Sequence, residues 1–307
     1  MKVSIVVLVY NHGQFLEECL NSIFSQKIDV EFEVLIGEDA STDNSIIVCQ
    51  EFKNIYPNRV KLFQRKKNIG MLNNFYDLIE RSSGEYTAFL EGDDFWSDKQ
   101  KLNFQIKALD KNLDCTIAYH NVKMFFSEGL IGKDKLYVKT NQPLKVDVNY
   151  VIKKEVFMHT SSLMIRSVDI KNTPSSFLSY PMGDIPLTIF ALRNMSKAIY
   201  INRVMSNYRK NIGGITFKFN KNRIDIIYKY ILMYRDLNGF FKYKFNKSFI
   251  RAELKKHVEL TSIHLKNRNF KEAIVSDKVC FQHITSSNLK LFAKIIFNSI
   301  KVKLKIS

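Results

Sequence analysis

The segment Glu91-Gly92-Asp93-Asp94 places three carboxylates within four residues, directly after an apolar run. Carboxylates this close repel one another, and such clusters are usually relieved by a bound cation. Hard oxygen ligands suit Mg²⁺ or Mn²⁺, which bridge readily to diphosphate oxygens. The pattern predicts a divalent-metal site formed by Glu91, Asp93 and Asp94, with a solvated acidic turn as the alternative. The nearby Trp96, the only tryptophan of the chain, favours the metal site.

Two further acidic residues, Asp39 and Asp184, are candidates for substrate binding and catalysis. Asp39 follows an apolar strand pattern, and a carboxylate there can accept hydrogen bonds from a nucleotide base or a ribose hydroxyl. Asp184 precedes a helix pattern, where it could act as a general base on an acceptor hydroxyl. Each acid could instead cap the helix that follows it. The residues alone leave both alternatives open.

Polar residues interrupt the apolar run from Phe157 to Ile165, which predicts a strand. We assign its polar part, together with the tryptophan, to an acceptor region formed by Trp96, His159, Thr160 and Ser161. The six histidines show no metal-ligand spacing, so a zinc site is not expected. Glycine-rich phosphate loops, dinucleotide fingerprints and serine-hydrolase elbows are absent from the sequence, which argues against those enzyme classes.

Alternating strand and helix patterns must position these side chains. Apolar, β-branched runs predict strands at residues 4–9, 32–36, 60–63 and 86–90. Helical periods lie between them, and repeated βα units predict a mostly parallel, doubly wound α/β sheet. Ligands bind such sheets outside the carboxyl ends of the strands. We therefore expect one edge of the sheet to bring together Tyr10, Asn11, Asp39, Asn68 and the Glu91–Asp94 segment.

Positive charge is concentrated in the last third of the chain. The whole chain has a net charge of +17, and residues 218–307 hold 20 basic and 6 acidic residues, a net of +14. We divide the chain into a catalytic domain, residues 1–217, and a basic helical region, residues 218–307. Residues 288–307 form a basic amphipathic pattern suited to an anionic membrane surface, with a helix packed on its own domain as the alternative. No nucleic-acid-binding module is recognisable, so nucleic acid is not expected as a partner.

The cysteines and the apolar runs indicate the cellular compartment of the protein. Four cysteines without a pairing pattern predict free thiols in a reducing cytosol. Neither a secretory signal nor an apolar stretch of transmembrane length is apparent. We expect a cytoplasmic protein that is peripheral on the inner face of the membrane if the basic tail binds lipid.

Four motifs resemble, in order and spacing, those of the family 2 glycosyltransferases of the GT-A fold. They are Val3–Asn11, Glu38-Asp39-Ala-Ser-Thr-Asp43, Lys67-Asn68-Ile-Gly70 and Leu90–Trp96. The likeness runs from Val3 to about Thr216. It implies an inverting enzyme that moves a sugar from a nucleoside-diphosphate sugar, a UDP-sugar in the simplest case, to an acceptor hydroxyl. It also implies Mn²⁺ or Mg²⁺ as the cofactor.

The resemblance also implies roles for individual residues. The donor nucleotide site would comprise Val9, Tyr10, Asn11, Asp39, Lys67, Asn68 and Asp93. Asp93 and Asp94 would share donor contact and metal binding, with Glu91 in place of the usual first aspartate. Asp184 would be the catalytic base. The stretch from Tyr208 to Asn211 is similar to a Tyr-Arg-x-His element of the family, with asparagine where histidine is common.

The resemblance points to bacterial surface polysaccharide synthesis, with a saccharide or lipid-linked saccharide as the acceptor. Two alternatives remain open. A sugar-phosphate nucleotidyltransferase would need a glycine-rich, arginine-containing loop after the first strand, and the stretch Tyr10–Gln14 is not that loop. A degenerate nucleotide-sugar-binding protein without transfer activity is kept open by the departures at Glu91 and Asn211.

Overall fold

The computed structural model describes residues 1–126, 133–138, 142–155, 157–211, 222–269, 271–273 and 275. The chain divides into two compact units, residues 1–212 and 213–307. The expected boundary at residue 217, the expected tail at residues 288–307 and Cys280 all lie outside the described residues. The other three cysteines, Cys19, Cys49 and Cys115, are buried free thiols.

A ten-stranded sheet forms the centre of the first unit. Its strands are β1 Val3–Val9, β2 Phe32–Glu38, β3 Val60–Gln64, β4 Tyr86–Glu91, β5 Phe95–Trp96, β6 Cys115–Phe126, β7 Lys135–Leu136, β8 Lys145–Val146, β9 Met164–Arg166 and β10 Lys197–Lys210. The order is β3-β2-β1-β4-β9-β6-β10-β5, with β7 beside β6 and β8 beside β10. The six longer strands run in one direction and the four short ones run against them. The predicted mostly parallel α/β sheet is confirmed.

Helices cover this sheet and leave its first strands fully buried. They are α1 Leu16–Phe24, α2 Ser45–Ile55, α3 Met71–Arg81, α4 Lys101–Lys111, α5 Val148–Lys154 and α6 Asp184–Ala191. Every residue of β1 and β2 is buried, as their continuous apolar runs predict for strands covered on both faces. The main core cluster draws its side chains from these two strands, from β4 and from α1 and α4.

The strand predicted from Phe157 to Ile165 is wrong over most of its length. A 3₁₀ turn occupies Thr160–Ser162, and β9 begins only at Met164. The Ser162 hydroxyl donates to the carbonyl of His159 at 2.7 Å, and side-chain bonds of this kind compete with a strand ladder. Because Met164 pairs antiparallel with Ala88, the turn lies level with the carboxyl end of β4.

The described part of the second unit is mainly two long helices, as expected for the basic helical region. They are α7 Arg223–Phe240 and α8 Asn246–Lys266. They pack together through a cluster that includes Ile227, Ile231 and Leu260. Among the described residues of both units, no helix combines the length and the apolarity needed to cross a bilayer.

Candidate active site

The carboxyl ends of β1, β2 and β4 lie side by side. In the parallel register Val9 pairs with Glu38, and Leu8 pairs with Glu91. The residues that follow these strands therefore leave the sheet at the same level. This is the edge at which ligands bind in parallel α/β sheets.

Asp39 joins the end of β2 to the loop after β3. Its buried carboxylate accepts the backbone N–H groups of Ile69 at 2.7 Å and Gly70 at 3.0 Å. Gly70 has a φ of 87°, which favours glycine, and its N–H also lies 3.0 Å from Oδ1 of Asn68. The side chains of Lys67 and Asn68 are exposed beside this junction. Asp39 thus organises the loop and does not cap α2.

The loop after β1 is tied to the loop after β2. Asn11, with a φ of 56°, accepts the backbone N–H of Thr42 at 2.8 Å and donates its own to the Ser41 hydroxyl at 3.0 Å. The carbonyl of Val9 accepts the N–H of Asp39 at 2.9 Å. The neighbouring Tyr10 side chain is 41% exposed. These bonds leave an aromatic ring facing solvent at the edge of the sheet.

The acids after β4 form a cluster with a histidine from the 3₁₀ turn region. Ligand atoms of Glu91, Asp94 and His159 all lie within 4.8 Å of one another. Oδ1 of the buried Asp94 accepts the backbone N–H of Arg209 at 2.9 Å. Its Oδ2 has no hydrogen-bond partner and lies 3.9 Å from Nδ1 of His159. Because an unpartnered buried carboxylate oxygen is costly, this donor set fits a bound cation.

The pKa values in this cluster are shifted in the direction that favours neutral groups. Burial and then the Asp93 charge raise the pKa of Glu91 to about 8. Burial and the charges of Asp93 and Glu91 raise the pKa of Asp94 well above its ordinary value. Burial and the Lys210 charge lower the pKa of His159 to about 3, so its imidazole is neutral and able to ligate. A cation here would relieve the repulsion among the acids.

Asp93 and Asp94 are held in place from β10. The guanidinium of Arg209 donates to the carbonyl of Asp93 at 3.0 Å and to Glu18 at 2.6 Å. It packs over three aromatic rings, those of Phe15, Phe95 and Phe125. Asn211, which stands where the related element has histidine, donates to Oδ2 of Asp93 at 2.7 Å. The end of β10 therefore fixes both the backbone and the side chains of the acidic loop.

Asp184 begins α6 and faces the same edge. Its Oδ1 accepts the backbone N–H of Ile185 at 2.8 Å. Burial raises the pKa of Asp184 to about 6. The charge of Asp184 is one of the causes that raise the pKa of Glu91, so the two carboxyl groups act on each other across the site.

The residues assigned to an acceptor region lie in and behind the acid cluster. The indole N–H of the buried Trp96 donates to the carbonyl of Ser161 at 3.2 Å. The Ser161 hydroxyl bonds to Nδ1 of His159 at 2.9 Å and to the Ser206 hydroxyl at 3.0 Å. Thr160 is half-buried in the same turn. The structure thus brings His159 to the acids, while Trp96 and Ser161 support it from behind.

Two basic residues at the site escaped the sequence reasoning. Nε2 of His12, in the turn after β1, lies 3.9 Å from Oδ1 of Asp93. Lys210, the last residue of β10, is acted on by the charges of Asp94, Glu91 and Asp93, although burial lowers its pKa overall. No local signal in the sequence marks His12, whereas Lys210 occupies the variable position of the Tyr208–Asn211 element. Both residues reach the site through the packing of the sheet.

The fold is that of an α/β protein, and the acidic cluster at the carboxyl edge of its sheet could hold a cation. Comparison with known proteins shows the family to which the chain belongs. Residues 4–171 match the model of glycosyl transferase family 2, more than half of the chain. The chain belongs to this family. The predicted resemblance is therefore confirmed.

Relatives of the chain include proteins with and without an assigned activity. An uncharacterized protein of Mycobacterium tuberculosis is 32% identical over 163 residues, which are 53% of this chain and 46% of that protein. The poly(ribitol-phosphate) beta-glucosyltransferase of Bacillus spizizenii is 27% identical over 178 residues, 58% of this chain and 27% of that enzyme. The chain thus spans less than half the length of either relative.

Solved structures share the fold over almost the whole chain. TarS of S. aureus, in complex with UDP-GlcNAc, aligns with a TM-score of 0.56 and 16% identity over 93% of each chain. The mannosyltransferase PcManGT of Pyrobaculum calidifontis, in complex with GDP-Man and Mn²⁺, aligns with a TM-score of 0.55 and 13% identity, covering 100% of this chain and 88% of that one. These likenesses confirm the predicted GT-A fold.

Proposed function

We propose that this chain is a metal-dependent, inverting glycosyltransferase that moves a sugar from a nucleoside-diphosphate sugar to an acceptor hydroxyl. The observation that carries the proposal is the Glu91, Asp94 and His159 cluster, with its unpartnered Asp94 oxygen, at the carboxyl edge of the sheet. Asp184 faces the same edge with a pKa raised to about 6. Membership of glycosyl transferase family 2 supports the reaction class.

Mn²⁺ is the cofactor that the donor set suits best. Two carboxylates and an imidazole would hold it, whereas Mg²⁺ prefers oxygen ligands alone. When bound, the cation would neutralise charge on the departing diphosphate. Arg209 and Asn211 would keep the acidic loop in its binding geometry through their bonds to Asp93. The complex of PcManGT with Mn²⁺ supports the choice.

Transfer would take place in a single displacement. Asp184 would accept the proton of the acceptor hydroxyl as that oxygen bonds to the anomeric carbon. On the opposite face, the bond from the anomeric carbon to the diphosphate oxygen would break, and the diphosphate would leave with the electron pair. Displacement from opposite faces inverts the anomeric configuration. Lys210 would support the leaving group with a positive charge.

The donor nucleotide would lie against the loops that follow β1, β2 and β3. We assign its binding to backbone and side chains of Val9, Tyr10, Asn11, Asp39, Lys67, Asn68 and Asp93. The exposed Tyr10 ring offers a face to the base, and Asp39 fixes the loop that carries Lys67 toward the phosphates. UDP is the nucleotide we propose, and the complex of TarS with UDP-GlcNAc supports it.

For the acceptor we propose a saccharide or lipid-linked saccharide in bacterial surface polysaccharide synthesis. The poly(ribitol-phosphate) beta-glucosyltransferase relative supports this class. Trp96, His159, Thr160 and Ser161 would border the acceptor side of the site. The alternative is a degenerate nucleotide-sugar-binding protein without transfer activity. Both proteins would bind the donor, but only the glycosyltransferase would transfer its sugar to an acceptor.

Thermal unfolding with UDP, GDP, CDP and TDP, each with and without Mn²⁺, tests the donor site. A ligand that binds only the folded protein raises the midpoint. We expect a Mn²⁺-dependent shift with UDP that is lost in Asp94→Asn and kept in Glu17→Gln, an exposed acid on α1. The anomeric configuration of the transferred sugar, measured by NMR, tests inversion. Absence of a shift with every nucleotide would contradict the donor site, whereas a nucleotide shift without transfer to any acceptor would favour the degenerate protein.

A further inference from the structure

The helix pair of the second unit carries an apolar stripe that faces solvent. Tyr228, Leu232, Phe240 and Tyr243 are 42%, 61%, 45% and 66% exposed. Tyr228 and Leu232 lie one turn apart and Phe240 lies about two turns further on, with the exposed Asp236 between them, so the helical members share one side of α7 while its opposite side packs on α8. Large apolar side chains gathered in this way mark an interaction surface more often than scattered ones do.

The turn between α7 and α8 extends this stripe with outward-facing residues. Lys242 and Tyr243 have φ angles of 49° and 60°, a conformation that side-chain-bearing residues adopt at a cost. Phe241 and Phe245 are buried on either side, so the residues between them project into solvent. The backbone N–H of Tyr243 donates to the carbonyl of Asn238 at 2.9 Å, which holds the turn in this form.

Lysines surround the stripe. Residues 228–247 contain five basic side chains and one acidic one. One of the five, Arg235, is paired with Glu253 at 2.5 Å. The others are exposed, and they are Lys229, Lys242, Lys244 and Lys247. We call these lysines and the four stripe residues the basic apolar face.

We propose that the basic apolar face docks on the surface of a bilayer that contains anionic lipid. Tyrosine and phenylalanine rings partition into the interfacial region of a bilayer, and lysines beside them reach the headgroup phosphates. The net charge of +14 on residues 218–307, from 20 basic and 6 acidic residues, is complementary to such a surface. This surface is distinct from the basic tail predicted at residues 288–307.

Other occupants fit the face less well. A second copy of the chain docked across a two-fold axis would bring the lysines of both copies together, and like charges oppose that contact. Nucleic-acid binding would call for a recognisable binding module beside the basic side chains, and the described helix pair shows none. The inference does not rest on the proposed transfer reaction, because binding can be measured without turnover.

Co-flotation of the full-length chain with lipid vesicles tests the proposal. We expect binding to vesicles with about 30% phosphatidylglycerol, weak binding to pure phosphatidylcholine, and release as NaCl rises from about 0.1 M to about 0.5 M. Replacing Lys242, Lys244 and Lys247 by Ala should lower the partition coefficient by about 100-fold, at roughly fivefold per lysine. Replacing Leu232, Phe240 and Tyr243 by Ser should also weaken binding.

Matched variants in the first unit separate the face from general changes in charge or apolarity. Lys99, Lys107 and Lys111 are exposed, and their replacement by Ala removes the same charge. Ile47, Ile55 and Leu113 are 58%, 63% and 85% exposed, and their replacement by Ser removes the same number of exposed apolar side chains. Both controls should bind like the wild type. The proposal would be overturned if the face variants bound vesicles as well as these controls do. It would also be overturned if the wild-type chain did not bind anionic vesicles, or formed dimers through this face instead.

Discussion

Replacing Asp184 by Asn removes the charge of a half-buried carboxyl group while keeping the shape of the side chain, and we expect a more stable protein that transfers sugar much more slowly. Burial raises the pKa of Asp184 from 3.8 to about 6. A difference of about two units corresponds to at most about 3 kcal/mol in the free energy of unfolding. The hydrogen bond from Ile185 to Oδ1 can persist in the variant, because an amide oxygen also accepts it.

The direction in which stability changes with pH follows from the pKa of Asp184 in the unfolded and folded states. Below pH 3.8 the carboxyl group is protonated in both the folded and the unfolded state, so burial carries no charge penalty. Between pH 3.8 and about 6 the unfolded state alone ionises, and the stability of the wild type falls as the pH rises. Above about pH 6 the penalty is complete. Asp184→Asn should therefore gain about 3 kcal/mol at about pH 8 and about 1 kcal/mol at about pH 4.5.

Urea unfolding of both proteins at these two pH values measures the gain. Asp77→Asn is the matched control, because hydrogen bonds from Arg81 and Arg65 outweigh burial and lower the pKa of Asp77. That variant should lose stability at about pH 8. A loss of stability in Asp184→Asn as well would refute the claim that its charge is buried at a cost.

The same Asp184→Asn variant tests the catalytic base. We expect kcat to fall by about 10²- to 10⁴-fold while the Mn²⁺-dependent nucleotide shift in unfolding temperature is retained. A retained kcat would remove Asp184 from the reaction. Loss of the nucleotide shift would instead show that Asp184 acts in donor binding.

Three further predictions use other assays. Because Asp184 must be ionised to accept a proton, kcat at saturating donor and Mn²⁺ should fall about tenfold per unit below its pKa of about 6 and level off above it, and full activity at about pH 4.5 would contradict this. Arg209→Lys should weaken Mn²⁺ binding by about 10- to 100-fold in calorimetry, since a lysine lacks the planar fork whose two nitrogens donate to Asp93 and Glu18. Unchanged affinity would exclude a positioning role. Gly84→Ala should lower stability by about 1–3 kcal/mol in urea, because its Cβ would lie 2.4 Å from the backbone nitrogen of Ser4.

Secondary structure could be predicted wherever the apolar pattern was regular. The strands predicted at residues 4–9 and 86–90 are Val3–Val9 and Tyr86–Glu91 in the structure, each within one residue of the prediction at either end. A strand that is buried on both faces is written as a continuous run of apolar residues, and such a run can be recognised from a short stretch of sequence. The prediction was wrong at Phe157–Ile165, where hydroxyl and imidazole groups bond to nearby backbone and replace the strand with a turn.

The sequence by itself determined which acids reach the sheet edge, because parallel strands share one carboxyl end and acids directly after them must meet there. Asp39 and the Glu91–Asp94 segment follow such strands and therefore belong to the same edge. The sequence also determined the family, through motifs that fall at these strand ends.

Only the tertiary structure decided what each group does at that edge. The register of β9 between β4 and β6 brings His159 within reach of Asp94, and the end of β10 brings Arg209 and Lys210. The same packing leaves one Asp94 oxygen without a partner and occupies both oxygens of Asp39. A local pattern specifies strands and helices, but contacts between distant segments depend on how those elements pair and pack, which no short stretch of sequence encodes.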